Sequence, residues 1–413
     1  MCPATVSYLY PPVKSRIVAQ SHELPDFAEE IARLCVTVYE QKKGVRHDTE
    51  LLSSTAKTLL NGVYIGYGKD LVSVDWDTPD YETLTRLTQN VFSFSAAKNY
   101  QQLRTITDAL RDEDGGLRTF QDFKEQVATI NNKFNVTWLQ TEYDTCIATA
   151  TQSARWQEFK AQQSLFPYLR YQTAGDDSVR SEHRLLNGIT KRVDDPFWRT
   201  YYPPNGWNCR CTAVQVLKGK YPTSDDKQAI QAGDRMTDTP KKRIFRFNPG
   251  IDGQLFPPKH PYYKLSREAA GQVKKAVGKM AQANRIEEMI AEMPDNLTAE
   301  EKRALAVHNI KLEEALGITK GKPMTVEQAD RQSANPYYVP EFIHDGNGTY
   351  RDCFGNRYKR NPAYKKSDDK YSINCATCAP TYTLRLRGFD IKAKGRIKGS
   401  GSINDYIAHQ HSF

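Results

Sequence analysis

The chain has 413 residues, 39% of them hydrophobic and 26% charged, with a mean hydropathy of −0.68. That supplies enough apolar surface for packed cores and excludes a wholly disordered chain, and at roughly 100–200 residues per domain it predicts two to four domains. The net charge is +9, and residues 351–413, with 13 Lys/Arg against 5 Asp/Glu, carry +8 of it. Such asymmetry marks either a contact with a polyanion or a solvated basic tail.

Residues 24–62 read as two amphipathic helices. In the first, Phe27, Ile31, Leu34 and Val38 recur at helical spacing after the start signal Pro25-Asp26. In the second, Leu51, Leu52, Leu59 and Leu60 do the same, and the pattern stops near Gly62. Pro79-Asp80 opens a helix with Leu84, Leu87 and Val91, and another is expected over 97–111, ending before Asp114-Gly115-Gly116. Over 117–165 a long helical pattern runs from Phe120 and Phe123 to Trp156 and Phe159, with a break near Asn131-Asn132. Its aromatic stripe reads as core. Cys35 and Cys146 fall inside helical patterns and read as small buried hydrophobes.

After Pro167 the pattern changes to alternation over 168–173, a strand, and Thr212-Ala213-Val214-Gln215-Val216 is a second one. Residues 217–265 are turn-rich. Helix returns over 266–317, broken at Pro294-Asp295 and capped at Gly317. The expected class is α+β. A mostly helical N-terminal part covers 1–116 and a small mixed α/β domain 117–220. A turn-rich and helical connector covers 221–334, and a small basic α+β module 335–413.

No stretch approaches the ~18–20 uninterrupted apolar residues of a membrane helix. The opening MCPATVSYLYPPVKSR lacks a basic region followed by an apolar run, so a soluble chain without an export signal is expected. Eight scattered cysteines are too few for a disulfide scaffold, and a reducing compartment fits them best.

Two cysteine pairs stand apart. His183, Cys209 and Cys211 are zinc-type ligands, although a Cys-x-Cys spacing is tighter than the usual two to four intervening residues. Such a pair on one ion needs an open turn, which Gly206 would permit, and Asp176, Asp177 and His260 are candidates for a fourth ligand of a structural zinc. The plainer alternative has His183 bonding the Pro203-Pro204-Asn205-Gly206 turn while the cysteines pack inside. Asp194-Asp195 before Pro196 reads as turn chemistry.

The words around these residues carry a resemblance. His183 precedes Leu186-Asn187-Gly188, and Pro204 precedes Cys209-Arg210-Cys211, with Asp195-Pro196-Phe197-Trp198 and Pro203-Pro204-Asn205-Gly206-Trp207 between. The stretch from Asn132 to Val216 resembles the head-morphogenesis family of tailed phages, the minor head proteins similar to the F protein of phage Mu. The likeness extends more loosely to 245–250 and 256–260. It implies a non-enzymatic virion protein in few copies that assists head assembly and DNA packaging or ejection near the portal. The implied partners are portal and capsid proteins and, without sequence preference, packaged DNA. The implied location is the virion, or the bacterial host cytoplasm during assembly, with no membrane contact.

In the basic module, Asn374-Cys375-Ala376-Thr377-Cys378 precedes an amphipathic helix over 379–388, and 389–393 reads as a strand. A cysteine at a helix N-terminus has its thiolate stabilised by the dipole, and His409 or His411 would then serve as base. These words are similar to modules attached to some phage head proteins and polymorphic toxins. That likeness implies a virion-carried effector with a papain-like cysteine enzyme, a hydrolase or deamidase, as the alternative function. Only 35 residues follow Cys378, fewer than a papain-like sheet needs. Buried thiols at a helix start, or a small site from Cys353, Cys375 and Cys378, are the other readings. Arg385, Lys392, Lys394, Arg396 and Lys398 are the candidate nucleic-acid contacts. Arg385 and Arg387, two apart on a helix, do not share a face.

Overall fold

The structure, a computed structural model, describes residues 24–42, 44–74, 78–329, 335, 339–364 and 375–393. Helices make up 56% of it, with small antiparallel sheets, so the α+β class holds. The chain divides into two compact units, Met1–Asn284 and Arg285–Phe413.

In the first unit, α1 (Ala28–Gln41), α2 (Thr49–Tyr67), α3 (Pro79–Asp108), α4 (Phe120–Asn131) and α5 (Leu139–Ala161) share one core. Asp48, Thr78 and Thr119 start α2, α3 and α4 by accepting the backbone N–H three residues on. Most of the stripe residues read from sequence, among them Leu34, Val38, Leu59, Leu87, Val91 and Phe123, are buried in that core, whereas Phe120 at the start of α4 is exposed. Cys35 and Cys146 are buried there too.

Three helices differ from expectation. α2 runs through Gly62 to Tyr67, because its glycines are contact points with α5. A Cβ at Gly66 would lie 2.3 Å from the Ile147 carbonyl oxygen, and one at Gly62 3.1 Å from the Tyr143 ring. α3 is a single helix of 30 residues where two were expected, carried across the gap by buried Ser95, Ala96 and Ala97. The break near Asn131-Asn132 is a π-helical stretch, Asn132–Trp138, that joins α4 to α5. Within it the Phe134 carbonyl accepts from the buried Lys98 ammonium at 2.7 Å, and Lys98 also pairs with buried Glu142.

The cores cross the sequence boundaries at 116 and 220. Phe256 stacks on Phe94 of α3 with ring centroids 3.6 Å apart, and the Tyr262 hydroxyl donates to Glu142 at 3.1 Å. A second core surrounds a three-stranded antiparallel sheet of β1 (Tyr168–Gln172), β2 (Thr190–Arg192) and β3 (Thr212–Val216), in the order β2-β1-β3. Leu169 on central β1 faces Lys191 and Gln215. β1 and β3 were legible, whereas three residues of β2 are too few to show alternation. The single turns α6 (Ser181–Arg184) and α7 (Phe197–Tyr201) lie between strands. Trp156 and Phe159 of α5, Phe197 and Trp198 of α7, and Ala229 and Met236 of α8 (Asp226–Met236) fill this core. Asp195 accepts the Phe197 N–H at 2.8 Å and Asp194 pairs with Arg192, which is the turn chemistry expected of them. Two further turns, α9 (Pro240–Arg243) and α10 (Pro249–Asp252), lead to α11 (Arg267–Ala291).

In the second unit, the expected break at Pro294-Asp295 separates α11 from α12 (Ala299–Leu316). A Thr298–Glu301 capping box opens α12, and Gly317 at φ 66° closes it. Met289, Ala306 and Ile310 form its small core. α13 (Val326–Ala329) precedes a sheet of β4 (Phe342–His344), β5 (Tyr350–Arg351) and β6 (Arg357–Arg360), ordered β4-β6-β5. α14 (Cys375–Leu386) follows. Residues 389–393, expected as a strand, are irregular. Arg385 takes the Ile391 carbonyl at 3.1 Å, so a side chain bonds a backbone group that a ladder would use.

Candidate functional site

His183, Cys209 and Cys211 meet. Cys209 Sγ lies 3.6 Å and Cys211 Sγ 3.5 Å from His183 Nδ1, and all three side chains are buried. They form the one group of three such ligands among the described residues.

Local structure explains the meeting. His183 sits on α6, and the chain then closes back on β1 through Gly188, whose N–H donates to the Tyr171 carbonyl at 2.8 Å. Gly188 has φ 88°, and a Cβ there would lie 2.8 Å from the Arg170 guanidinium, so glycine is required. On the other side the Pro203-Pro204 peptide is cis, and the left-handed residue is Asn208 at φ 55°. Gly206, expected to open this turn, is not the residue that does so. Cys211 then leads directly into β3.

Tyr171 and Asn205, which sequence reasoning missed, complete the surroundings. The Tyr171 hydroxyl donates to Asn205 Oδ1 at 2.8 Å and lies against Cys211, while the Asn205 N–H donates to Cys209. The signal for Tyr171 was the alternation of Leu169 and Tyr171. Asn205 offered none beyond its turn. The Cys211 thiol donates to Cys209 and holds it well below the usual thiol range, with His183 acting in the same direction. Cys211 is pushed up by Cys209 and by burial.

A cavity of about 250 Å³ opens beside the three, lined also by Ala174, Ser178, Val179, Arg180, Asn208 and Arg210. The expected fourth ligands do not join. Asp176 is held by both terminal nitrogens of Arg210, at 2.5 and 2.6 Å, and Asp177 is exposed. His260 is half-buried in an aromatic cluster, 5.1 Å from Phe94 and 5.6 Å from Trp207 between ring centroids. Its Nδ1 accepts the Tyr262 N–H, and burial pushes its pKa down to about 4.

Residues 102–214 match the family Phage Mu protein F like protein. The three ligands all lie inside that match. Over 73 residues, 18% of this chain, it is 41% identical to the capsid assembly protein F of Escherichia phage Mu, covering 17% of that protein. Over 100 residues, 22% of this chain, it is 41% identical to the Mu-like prophage FluMu F protein of Haemophilus influenzae, covering 24% of it. The aligned part is therefore less than a quarter of either relative. No solved structure matches the chain. The Mu F-like segment takes in the end of α3, α4, α5 and the sheet, so it contributes to both cores of the first unit.

In the second unit, Cys378 lies within α14, three residues after its first residue and so in its first turn, rather than before the helix. The Cys375 side chain, His409 and His411 lie outside the described residues, as do Lys394, Arg396 and Lys398. Cys353 is exposed. Arg385, expected as a nucleic-acid contact, is instead buried. Its guanidinium binds the Asp390 carboxylate at 2.7 Å and the Gln328 carbonyl at 2.9 Å. Charge alone made it a candidate, whereas its acceptors, a carboxylate five residues on and the carbonyls of Ile391 and Gln328, appear only in the fold. Lys392 is exposed.

Proposed function

We propose that this chain is a capsid-associated assembly protein of a tailed phage or prophage that docks on portal and capsid proteins during head formation. The observation that carries the reading is the 102–214 match, supported by relatives whose names specify capsid assembly or a Mu-like F protein. The physical argument is one of shape. The matched segment joins a helical core to a buried sheet, and its distinctive words are the loop-forming ones, Leu186-Asn187-Gly188 and Pro203–Cys211. Most of these residues are buried or half-buried, so they fix the loops rigidly and leave Asn187 and Asn208 exposed at set positions. A surface held in one geometry is what recognition of another head protein requires. Packaged DNA is the nearest polyanion for the basic residues of the second unit.

The test is co-expression of the full chain with the portal and major capsid genes of the same genome. The expected result is particles that carry the chain in low copy and a fall in closed heads when it is omitted. Normal heads without the chain, together with its absence from particles and assembly intermediates, refute the reading.

A further inference from the structure

We propose that His183, Cys209 and Cys211 bind one zinc ion through three protein ligands and leave its fourth position to solvent in the adjoining cavity. The distances come first. On a tetrahedral zinc, with Zn–N near 2.05 Å and Zn–S near 2.3 Å, nitrogen and sulfur ligands stand about 3.6 Å apart. His183 Nδ1 stands 3.6 and 3.5 Å from the two sulfurs, so the ion fits with little side-chain movement. One imidazole and two thiols are a soft donor set that suits zinc over magnesium or calcium.

The second argument concerns the missing ligand. Structural zinc sites are closed by four protein ligands, whereas sites with three keep a water. Here the nearby carboxylate, Asp176, is committed to Arg210 by two hydrogen bonds, and His260 is committed to the aromatic cluster. The three ligands are nevertheless buried on every side but the cavity, which is large enough for several waters. Two thiolates neutralise a divalent ion. Arg180, anchored to the neutral Trp207 carbonyl at 2.6 Å, lines the same cavity, so the open position favours an anionic ligand such as hydroxide or a carboxylate, the charge of Arg210 being balanced by Asp176. The Asn205 N–H on Cys209 and the Tyr171 hydroxyl beside Cys211 supply the outer contacts that orient metal-bound thiolates.

The experiment uses the full chain, purified with reductant, stripped by a chelator and titrated with cobalt(II) as a spectroscopic stand-in for zinc. The expected result is one equivalent bound, with thiolate-to-metal charge transfer and visible bands of tetrahedral intensity that zinc abolishes. Azide or imidazole then shifts those bands, because the fourth position exchanges. Cys209→Ser and Cys211→Ser each remove the charge-transfer band or halve it. Because such variants can misfold, wild-type thiols are also alkylated with and without zinc and mapped by mass spectrometry. Zinc protects Cys209 and Cys211, and Cys353 stays reactive. Absence of charge transfer at stoichiometric cobalt, or protection mapping elsewhere, overturns the site. Bands indifferent to added ligands overturn the open position. Either failure leaves the head-assembly reading standing, since that rests on the sequence match.

Discussion

Lys98 and Glu142 form an ion pair inside the helical core, 1% and 5% exposed, which makes their replacement a sharp test of how that core is held. Removing one partner of a buried pair costs about 3–5 kcal/mol, because the remaining charge has no compensation. Lys98→Met also orphans the Phe134 carbonyl in the π-helical stretch, and Glu142→Gln leaves the ammonium facing a neutral amide. The double variant Lys98→Met/Glu142→Gln removes both charges and strands only the Phe134 carbonyl and the side-chain amide N–H, at about 1–3 kcal/mol each. It is therefore expected to lose less than the sum of the single losses by 2 kcal/mol or more, in order of magnitude. The pH dependence separates the two single variants. Burial lowers the Lys98 pKa and raises that of Glu142. In Glu142→Gln the unfolded lysine binds its proton more readily than the folded one, so stability rises as pH climbs from 7 toward about 10.4. In Lys98→Met the folded carboxyl holds its proton more readily, so stability rises as pH falls from 7 toward about 4.3. The limiting slope is about 1.4 kcal/mol per pH unit in each case, with opposite sign. All five tryptophans precede residue 285, so urea unfolding followed by their fluorescence reports on the first unit. Parallel pH slopes, or single losses below about 1 kcal/mol, refute the account of a dry, mutually dependent pair.

Gly66→Ala places a methyl against the Ile147 carbonyl and is expected to cost about 1–3 kcal/mol by overpacking. Gly271→Ala on α11, where a Cβ meets nothing within 4 Å, is expected to stabilise slightly. Equal melting temperatures for the two variants rule out the close α2–α5 approach. For the basic unit, anisotropy of unrelated DNA duplexes across a salt series is expected to show charge-driven binding. Replacing Arg351 and Arg357, both exposed, should reduce the log–log slope by about 0.9 each, while Arg385→Gln leaves the slope unchanged. No binding at low salt, or a slope that depends on Arg385, refutes that assignment.

The elements with sustained period were legible. α1 and the paired helices around Pro294-Asp295 lie where apolar spacing and caps place them. The misplaced ends share one cause, which is that tertiary contact decides what a small residue means. Gly62 read locally as a stop, yet the lack of a side chain there and at Gly66 lets α5 approach α2. Ser95 and Ala96 fell between two expected helices, yet with Ala97 they are the buried middle of one long helix. The irregular Phe389–Ala393 stretch likewise depends on Arg385 reaching its backbone, which no two-residue alternation encodes.

The site was legible for a different reason. His183 and the Cys209-x-Cys211 pair stand 26 and 28 residues apart, and no periodicity joins them; residue chemistry and the surrounding words did. What those words could not give is the environment. Asp176 looked available as a ligand because its charge was visible in the sequence and its partner was not; the bidentate hold of Arg210, 34 residues on, takes it away. Asn208 rather than Gly206 supplies the left-handed turn, since asparagine tolerates that region where most side chains do not. With Asp176 taken up by Arg210, the suspected four-residue cluster is a group of three, His183, Cys209 and Cys211, beside a cavity. The three side chains meet beside that cavity because of the fold around the motif and not because of the motif.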